Sequence, residues 1–138
     1  MHPEGRGAQR AMRQAITYAG CNASDIAYIN AHGTSTTMND AIEAAVINRV
    51  CGNHRPLVSS TKSMTGHMLG AAGGVEAGIA ALALHHQIAP PTINLDTPDP
   101  ACDLNHVAHA VQSFTGQYTM SNSFGFGGAN AVLVFGRR

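Results

Sequence analysis

Two consecutive strand–loop–helix units constrain the fold of this 138-residue chain more than any other feature. In the first unit, the apolar stretch 26–31 (IAYINA) precedes a polar turn and then a helical segment. In the second, residues 56–60 (PLVSS) precede the loop 61–67 (TKSMTGH) and an Ala/Gly-rich helix that runs to about His86. This order predicts an α/β layer with ligand chemistry at the carboxyl ends of the strands. The apolar residues that predict the buried face of the first unit's helix are Ile42, Ala45, Val46 and Val50.

Further elements flank these two units. A helix is predicted between Gly5 and Gly20, where Gly20 occupies the position of a C-terminal glycine cap. Residues 88–100 (IAPPTINLDTPDP) are rich in proline, which predicts an extended surface connection and excludes a central strand. Residues 118–135 predict two strands joined by the glycine turn GFGG. The apolar residues at helical spacing in the first helix are Ala8, Ala11, Met12, Ala15, Ile16 and Ala19.

Composition excludes several classes of function. Lys plus Arg and Asp plus Glu number 8 each, so the formal net charge is zero and the basic footprint of a nucleic-acid or membrane-surface binder is absent. Three widely spaced cysteines without a C-x-x-C pair favour a reducing compartment, either the cytoplasm or an organelle matrix. The first ten residues lack the apolar region of a secretory signal. The segment 68–84 is short for a membrane span and contains Glu76, so we expect a buried helix there.

His32 and His67 are candidate catalytic residues because they occupy equivalent loops after the two predicted strands. Two neutral imidazoles can together donate Nε2–H to a carbonyl oxygen that gains negative charge. Solvation or packing is the default for a single histidine, and that interpretation applies to the other six. They are His2, His54, His85, His86, His106 and His109.

Lys62 and Glu76 raise two alternatives. Lys62 is either an exposed loop lysine or a cation that keeps a nearby imidazole neutral. Glu76 lies in an otherwise apolar helix, where a carboxylate requires a partner, and Lys62 is the nearest basic residue.

Ser59 and Lys62 also match the S-x-x-K pattern of serine hydrolases, but this serine ends a strand and neither K-T-G nor S-D-N is present. GFGG is either a hairpin turn or a flexible gate that carries Phe126.

Four motifs together resemble one family. They are NAHGTST (30–36), SSTKSMTGH (59–67), PPTINLD (90–96) and NSFGFGG (122–128). In this order they resemble the C-terminal half of an elongating β-ketoacyl-[acyl-carrier-protein] synthase, of the thiolase-like superfamily. The type II fatty-acid enzyme is the most similar, since modular polyketide counterparts typically carry EAHGTGT and SNIGH. The resemblance covers essentially the whole chain and implies one domain, 1–138, with a thiolase-like α/β half in which helices pack a mixed sheet.

The resemblance assigns roles to the candidate residues. It implies that His32 and His67 polarise the malonyl thioester carbonyl while CO2 leaves. Lys62 supports this pair, and Glu76 matches the helix acid that contacts this lysine. Phe126 matches a gating phenylalanine whose backbone N–H contributes to the oxyanion hole.

The resemblance also implies ligands and partners. Thr34 and Thr36 match threonines that bind the phosphopantetheine arm of an acyl carrier protein, and no cofactor is expected because the substrate carries that arm. No metal is required, although four positions match residues that surround a structural cation in some members. These positions are Asn30, Glu76, Ser121 and Asn122.

The nucleophilic cysteine of the family belongs to its N-terminal half and is absent here. Cys21 and Cys51 follow or end predicted helices and Cys102 lies in the proline-rich connection, so none has the setting of a reactive thiolate. We therefore expect a part that is inactive alone, with the missing half as a partner and a homodimer when complete. The alternative is a noncatalytic truncated or pairing subunit of a ketosynthase or polyketide system.

Overall fold

The computed structural model describes residues 4–138 and contains a central sheet with helices on both faces. The helices are α1 (Arg6–Ala19), α2 (Thr37–Cys51), α3 (Lys62–Thr65) and α4 (Ala72–His86). The strands are β1 (Ile26–Asn30), β2 (Leu57–Ser59), β3 (Ile88–Ala89), β4 (Asn105–His106), β5 (Gln112–Ser113), β6 (Tyr118–Phe124) and β7 (Asn130–Gly136). Short 3-10 turns cover Ala23–Asp25, Leu69–Ala71 and Phe126–Gly128.

The main sheet has the strand order β4-β2-β1-β6-β7. The first four of these strands are parallel and β7 is antiparallel to β6, so the sheet is mixed. Asn30 at the end of β1 is in register with Ser59 of β2 and with Ser121 of β6. The loops that follow β1, β2 and β6 therefore leave the same edge of the sheet. A separate pair of strands, β3 and β5, lies outside it.

The two faces of the sheet carry different helices. On one face, α1 and α2 pack a core that includes Met12, Val46, Ile29 and Met120. On the other face, α4 packs over β1 and β6, where Thr119 Oγ1 donates to the carbonyl of Ala80 at 2.9 Å. The sheet is thus the middle layer of three. Within residues 4–138, no helix combines the length and the apolar character that a membrane span requires.

Most of the predicted elements are confirmed. The first helix ends at Ala19, and Gly20 caps it in the left-handed region with φ 67°. Ala8, Met12 and Ile16 of its predicted apolar face are buried. Both strand–loop–helix units and the final hairpin are present, as is the α/β class with a mixed sheet.

Three local predictions need correction. Ala45, predicted on the buried face of α2, is exposed, because the buried stripe is rotated to include Glu43 and Ile47. The loop 61–67 contains the four-residue helix α3. The proline-rich connection is not wholly at the surface, because Ala89 and Pro91 are buried and the backbone N–H of Thr92 donates to the Val107 carbonyl at 2.8 Å.

Candidate functional site

The loops after β1 and β2 bring the predicted site residues together at one edge of the sheet. The imidazole rings of His32 and His67 lie 5.8 Å apart between centroids, in an edge-to-face arrangement with an interplanar angle of 88°. A cavity of about 630 Å³ opens beside them, and His67, Lys62 and Thr34 contribute to its wall. The pairing predicted from the two matching loops is therefore present.

The ring of His32 is half-buried at the end of β1 and packs against Phe124, with 5.9 Å between ring centroids. The pKa of His32 is lowered from 6.5 to about 4. Burial is the largest cause, and the nearby charges of Lys62 and then His67 act in the same direction. Its Nδ1 is buried and has no hydrogen-bond partner among residues 4–138. His32 is consequently neutral at physiological pH.

Glu43 of α2 holds the backbone of the His32 loop, a role that the sequence did not reveal. Its two carboxylate oxygens accept hydrogen bonds from the backbone N–H groups of His32 and Gly33, each at 2.9 Å. The amide of Asn122 donates to the same carboxylate at 3.1 Å. Burial raises the pKa of Glu43 and these hydrogen bonds oppose that rise. The sequence feature that indicates this role is that Glu43 lies one helical turn before Ile47, on the apolar side of the helix.

His67 is exposed, and one hydrogen bond fixes its tautomer. The backbone N–H of Leu69 donates to His67 Nδ1 at 3.1 Å. An Nδ1 that accepts a hydrogen bond in a neutral ring leaves the proton on Nε2. Leu69 makes this contact from the left-handed region, with φ 49°, which is a strained conformation for a leucine. His67 therefore presents an N–H donor at its far ring nitrogen.

Lys62 and Glu76 form a buried ion pair whose lysine is close enough to His32 to act on it. Lys62 Nζ lies 2.5 Å from Glu76 Oε1, and their side chains are 5% and 1% exposed. The approach is ionic rather than an aligned hydrogen bond, since neither atom has hydrogen-bond geometry within the described residues. The partner expected for Glu76 is thus present, and the interpretation of Lys62 as an exposed loop lysine is wrong. Its charge acts on His32, as the lowered pKa of that ring shows.

Ser60 links the histidine loops to the proline-rich connection. Its hydroxyl donates to the Gly33 carbonyl at 2.7 Å, and its backbone N–H donates to Thr92 Oγ1 at 2.9 Å. Ser63 Oγ donates to the Ser60 carbonyl and accepts from the backbone N–H of Ile93. A side chain at position 33 would collide with Ser60, because an added Cβ would lie 2.5 Å from the Ser60 Cβ. The glycine that follows His32 therefore permits close approach of the loops.

The predicted ligand-binding threonines lie on the cavity wall. Thr34 Oγ1 and Thr36 Oγ1 are 3.2 Å apart, and both residues line the cavity. Thr36 also caps α2, since its Oγ1 accepts from the backbone N–H of Asn39 at 3.3 Å. Phe126 is fully exposed on the glycine turn after β6. An exposed aromatic ring on glycines is compatible with a gate, and Phe126 lies outside the core formed by residues 4–138.

The four positions matched to a structural cation are all buried. Asn30 donates to Thr61 Oγ1 at 3.0 Å, whereas the Asn122 amide is directed to Glu43. Glu76 and Asn122 retain buried oxygens without a hydrogen-bond partner in the described part of the chain, which is the donor type that hard cations bind. Among residues 4–138, no cluster of three or more His, Cys, Asp or Glu side chains could hold a metal ion.

None of the three cysteines has the environment of a nucleophile. Cys21 follows the cap of α1 and Cys51 is the last residue of α2, so both lie at helix C-termini, where the dipole disfavours a thiolate. Burial raises the pKa of Cys51 to about 11. Burial also raises the pKa of Cys21 and of Cys102, with nearby carboxylates acting in the same direction. The expectation that these thiols are unreactive is supported.

Among the remaining histidines of residues 4–138, His106 also lines the cavity, but its ring nitrogen is engaged by a backbone carbonyl. His54 Nε2 contacts the Ile26 carbonyl at 2.6 Å, and His106 Nε2 contacts the Cys102 carbonyl at 2.7 Å. His85 and His86 are exposed at the end of α4, and His109 Nε2 lies 3.6 Å from Asp96. His2 lies outside the described residues.

Comparison with known proteins decides the family. The family described as "Beta-ketoacyl synthase, C-terminal domain" matches residues 1–96. The chain belongs to this family. It is 49% identical over 135 residues to a 3-oxoacyl-[acyl-carrier-protein] synthase 2 of Synechocystis sp., which covers 96% of the chain and 32% of that protein. The β-ketoacyl synthase domain thus spans about a third of the length of such relatives.

Solved structures agree with this assignment. The crystal structure of a β-ketoacyl synthase from Burkholderia phymatum superposes with a TM-score of 0.94 at 40% identity, over 100% of the chain and 34% of that protein. A type II polyketide ketosynthase, solved in complex with its acyl-carrier protein, gives a TM-score of 0.91 at 36% identity, over 97% of the chain and 33% of that protein. The thiolase-like fold is therefore confirmed.

Proposed function

We propose that this domain is the C-terminal part of a 3-oxoacyl-[acyl-carrier-protein] synthase that elongates acyl chains in fatty-acid synthesis. The observation that carries the proposal is the pair of histidine rings 5.8 Å apart beside an open cavity, with His32 held neutral and His67 presenting Nε2–H. Relatives named 3-oxoacyl-[acyl-carrier-protein] synthase 2 support the reaction class.

The proposed reaction begins with decarboxylation of a malonyl thioester. The bond between the malonyl Cα and its carboxylate breaks, CO2 leaves, and the electron pair forms an enolate whose charge lies on the thioester oxygen. Two N–H donors from His32 and His67 stabilise that oxygen. The enolate carbon then attacks an acyl thioester on a cysteine, so that a C–C bond forms and the thiolate leaves. Burial, and then the charge of Lys62, keep His32 neutral, and Glu76 compensates the charge of Lys62.

Binding of the substrate arm is assigned to the cavity wall. Thr34 and Thr36 would hydrogen-bond the phosphopantetheine arm of a carrier protein, and Phe126 would open and close the entrance. The carrier supplies the arm, so the proposal includes no separate cofactor. A related ketosynthase solved with its acyl-carrier protein supports a partner of this kind.

The rest of the synthase would supply the nucleophilic cysteine and cover α4. α4 is apolar on nearly every side, and a helix of that kind is normally buried all round. Here Leu82 is 58% exposed and Leu69, in the preceding turn, is 80% exposed. Leu133 of β7, on the same face of the sheet, is 51% exposed. We propose that the amino-terminal part packs over this apolar face and that the complete protein, with residues 1–138 as one of its domains, is a homodimer.

This packing can be tested with one charge on each side of the sheet. With this apolar face uncovered, we expect the isolated 138-residue chain to self-associate. Leu82→Glu should prevent that self-association and weaken assembly with the amino-terminal part of a related synthase. Tyr18→Glu is the matched control, because Tyr18 is 84% exposed but lies on α1, on the opposite face. Equal effects of the two variants in analytical ultracentrifugation would refute the assignment of the α4 face.

The catalytic proposal is tested in a reconstituted synthase, in which this chain is combined with the amino-terminal part of a related synthase. His32→Ala and His67→Ala should each lower release of labelled CO2 from malonyl-carrier protein by about 10²- to 10³-fold, the usual effect of losing one preorganised donor. His85→Ala, an exposed histidine remote from the cavity, is the control. Release of CO2 at the wild-type rate in either site variant would remove the proposed role.

A further inference from the structure

The proline-rich connection contacts the site through Thr92, which is half-buried and lines the cavity. Its backbone is fixed on both sides, because its N–H donates to the Val107 carbonyl at 2.8 Å and its carbonyl accepts from the His109 N–H at 3.1 Å. Its hydroxyl oxygen accepts from the backbone N–H of Ser60 at 2.9 Å. The side chain of Thr92 is therefore a fixed anchor for the turn that begins at Ser60.

The anchored turn joins the loops of the two site histidines. Ser60 precedes His67 in the loop after β2, and its hydroxyl donates at 2.7 Å to the carbonyl of Gly33, the residue next to His32 in the loop after β1. Thr92 thus acts on both loops at once, because its hydroxyl fixes Ser60 and Ser60 in turn fixes the loop of His32.

A second contact of the same kind lies beside the first. Ser63 Oγ accepts from the backbone N–H of Ile93 at 3.0 Å and donates to the Ser60 carbonyl at 2.9 Å. Ser63 belongs to α3, the four-residue helix that leads to His67. A helix of one turn has little stability of its own, so its position depends on such tertiary contacts. Two successive residues of the proline-rich connection therefore hold the start of the His67 loop.

The two threonines on the cavity wall are anchored elsewhere. Thr36 Oγ1 accepts from the Asn39 N–H of α2 at 3.3 Å and lies 3.2 Å from Thr34 Oγ1. Glu43, also on α2, holds the first histidine loop by its backbone N–H groups. These contacts all lead to α2, whereas Thr92 acts through the loop after β2. Loss of the Thr92 contact should therefore alter the spacing of the two histidine loops and leave the threonines in place.

We propose that Thr92 is a positioning residue that sets the spacing of His32 and His67. The inference rests on the proposed function, in which both rings donate to one thioester oxygen. The ring centroids lie 5.8 Å apart. Two donors serve one oxygen only when each lies about 2.7–3.1 Å from it, so a small change in ring spacing weakens one of the two hydrogen bonds. Thr92 thereby affects the decarboxylation step more than the binding of the substrate arm.

The test compares Thr92→Val with Thr92→Ser in the reconstituted synthase. Valine has nearly the shape of threonine but offers no acceptor to the Ser60 N–H, whereas serine keeps the hydroxyl. Thr92→Val should lower kcat for release of labelled CO2 from malonyl-carrier protein by about 3- to 30-fold, because a small misplacement of reacting groups can cost up to about 10²-fold. KM should change by less than about twofold, and kcat of Thr92→Ser should stay within about twofold of the unsubstituted value.

Thr119→Val is the matched control. Thr119 Oγ1 also bonds a backbone atom, the Ala80 carbonyl at 2.9 Å, but it lies between β6 and α4, outside both histidine loops. This variant should lower the free energy of unfolding without a comparable loss of kcat. In the 138-residue chain, Thr92→Val should shift the ring NMR signals of the two site histidines and accelerate hydrogen exchange at the Ser60 amide. Thr119→Val should do neither.

Distinct results separate this inference from the function on which it rests. An unchanged kcat in Thr92→Val, or an equal loss in Thr92→Ser or Thr119→Val, would overturn the positioning role. A higher KM with an unchanged kcat would also overturn it, because Thr92 would then act on the substrate arm. Absence of CO2 release by the unsubstituted synthase would refute the proposed function instead. In that case, unshifted ring signals in Thr92→Val would still refute the spacing role.

A second variant keeps the inference testable if Thr92→Val does not fold. Ser63→Ala removes the neighbouring contact to Ile93 and leaves Thr92 intact. It should lower kcat in the same way as Thr92→Val but by a smaller factor, with KM unchanged. A Ser63→Ala synthase with the kcat of the unsubstituted protein would contradict the claim that the proline-rich connection spaces the two rings.

Discussion

His32 and His67 follow neighbouring strands at matching positions, yet the protein controls them by different means. His32 is half-buried, its loop is anchored by the carboxylate of Glu43, and its pKa is lowered to about 4. His67 is exposed, and its tautomer is set by one backbone N–H from a strained Leu69. Electrostatics therefore determines the state of the first ring, whereas local backbone geometry determines that of the second.

This difference predicts which substitutions disturb which ring. Substitutions of buried charged residues should affect both His32 and the free energy of unfolding, because Glu43, Lys62 and Glu76 are buried in the interior. Changes at the surface turn near Leu69 that keep its backbone N–H should leave His32 unaltered and have little effect on stability. The following substitutions test that separation, from the largest expected effect to the smallest.

Lys62→Met should have the largest effect, since it leaves Glu76 as an unpaired buried charge. Loss of one partner of a buried ion pair costs about 3–5 kcal/mol of the free energy of unfolding. The pKa of His32 should also rise, although burial, its largest cause, remains. Urea denaturation and histidine NMR of the 138-residue chain measure the two effects. The control is Lys62→Met/Glu76→Gln, which should restore much of the stability; a double variant as unstable as the single one would contradict the account.

Glu43→Gln should have the next largest effect. The amide keeps one acceptor oxygen but cannot serve both N–H donors of His32 and Gly33, and an unsatisfied buried donor costs about 1–3 kcal/mol. Hydrogen exchange at these two amides should accelerate. Asp40→Asn, on the same helix, is the control, because the amide keeps the Oδ1 that accepts from the Ser35 N–H. Unaltered exchange at both amides in Glu43→Gln would show that this carboxylate does not hold the loop.

Leu69→Gly should have the smallest effect. Glycine relieves the strain of the left-handed conformation, worth about 1–2 kcal/mol, but increases the entropy of the unfolded chain by about 0.5–1 kcal/mol. The free energy of unfolding should therefore rise by about 0–1.5 kcal/mol, and the His67 tautomer should persist. Leu82→Gly is the contrast, because glycine inside α4 costs about 1 kcal/mol. A comparable loss in Leu69→Gly would refute the claim of strain.

The elements that could be predicted from the sequence are those with clear local signals. Met12 and Ile16 repeat at helical spacing before a glycine cap, and apolar strands precede polar turns, so periodicity alone is sufficient. The face of α2 was misassigned at Ala45 because a buried acid breaks the apolar pattern. The short helix α3 has too few residues for any period to be visible.

The sequence could predict those site residues whose motifs directly follow a strand. His32, His67 and Lys62 stand at the ends of β1 and β2, and parallel strands bring such positions together. Glu43 and Thr92 could not be found in this way, because their roles are hydrogen bonds to backbone atoms of distant loops. Such bonds depend on the register of the sheet and on helix rotation rather than on local residue types.

The central claim is that His32 is neutral near neutral pH and that the neutral ring of His67 carries its proton on Nε2, and NMR titration of the ring nitrogens tests it most directly. Because its pKa is lowered from 6.5 to about 4, His32 should remain neutral as pH falls from 8 to about 5 and gain its proton only near pH 4. His67, while neutral, should show a protonated Nε2 and an unprotonated Nδ1. A His32 titration centred near 6.5, or a neutral His67 with its proton on Nδ1, would contradict the account.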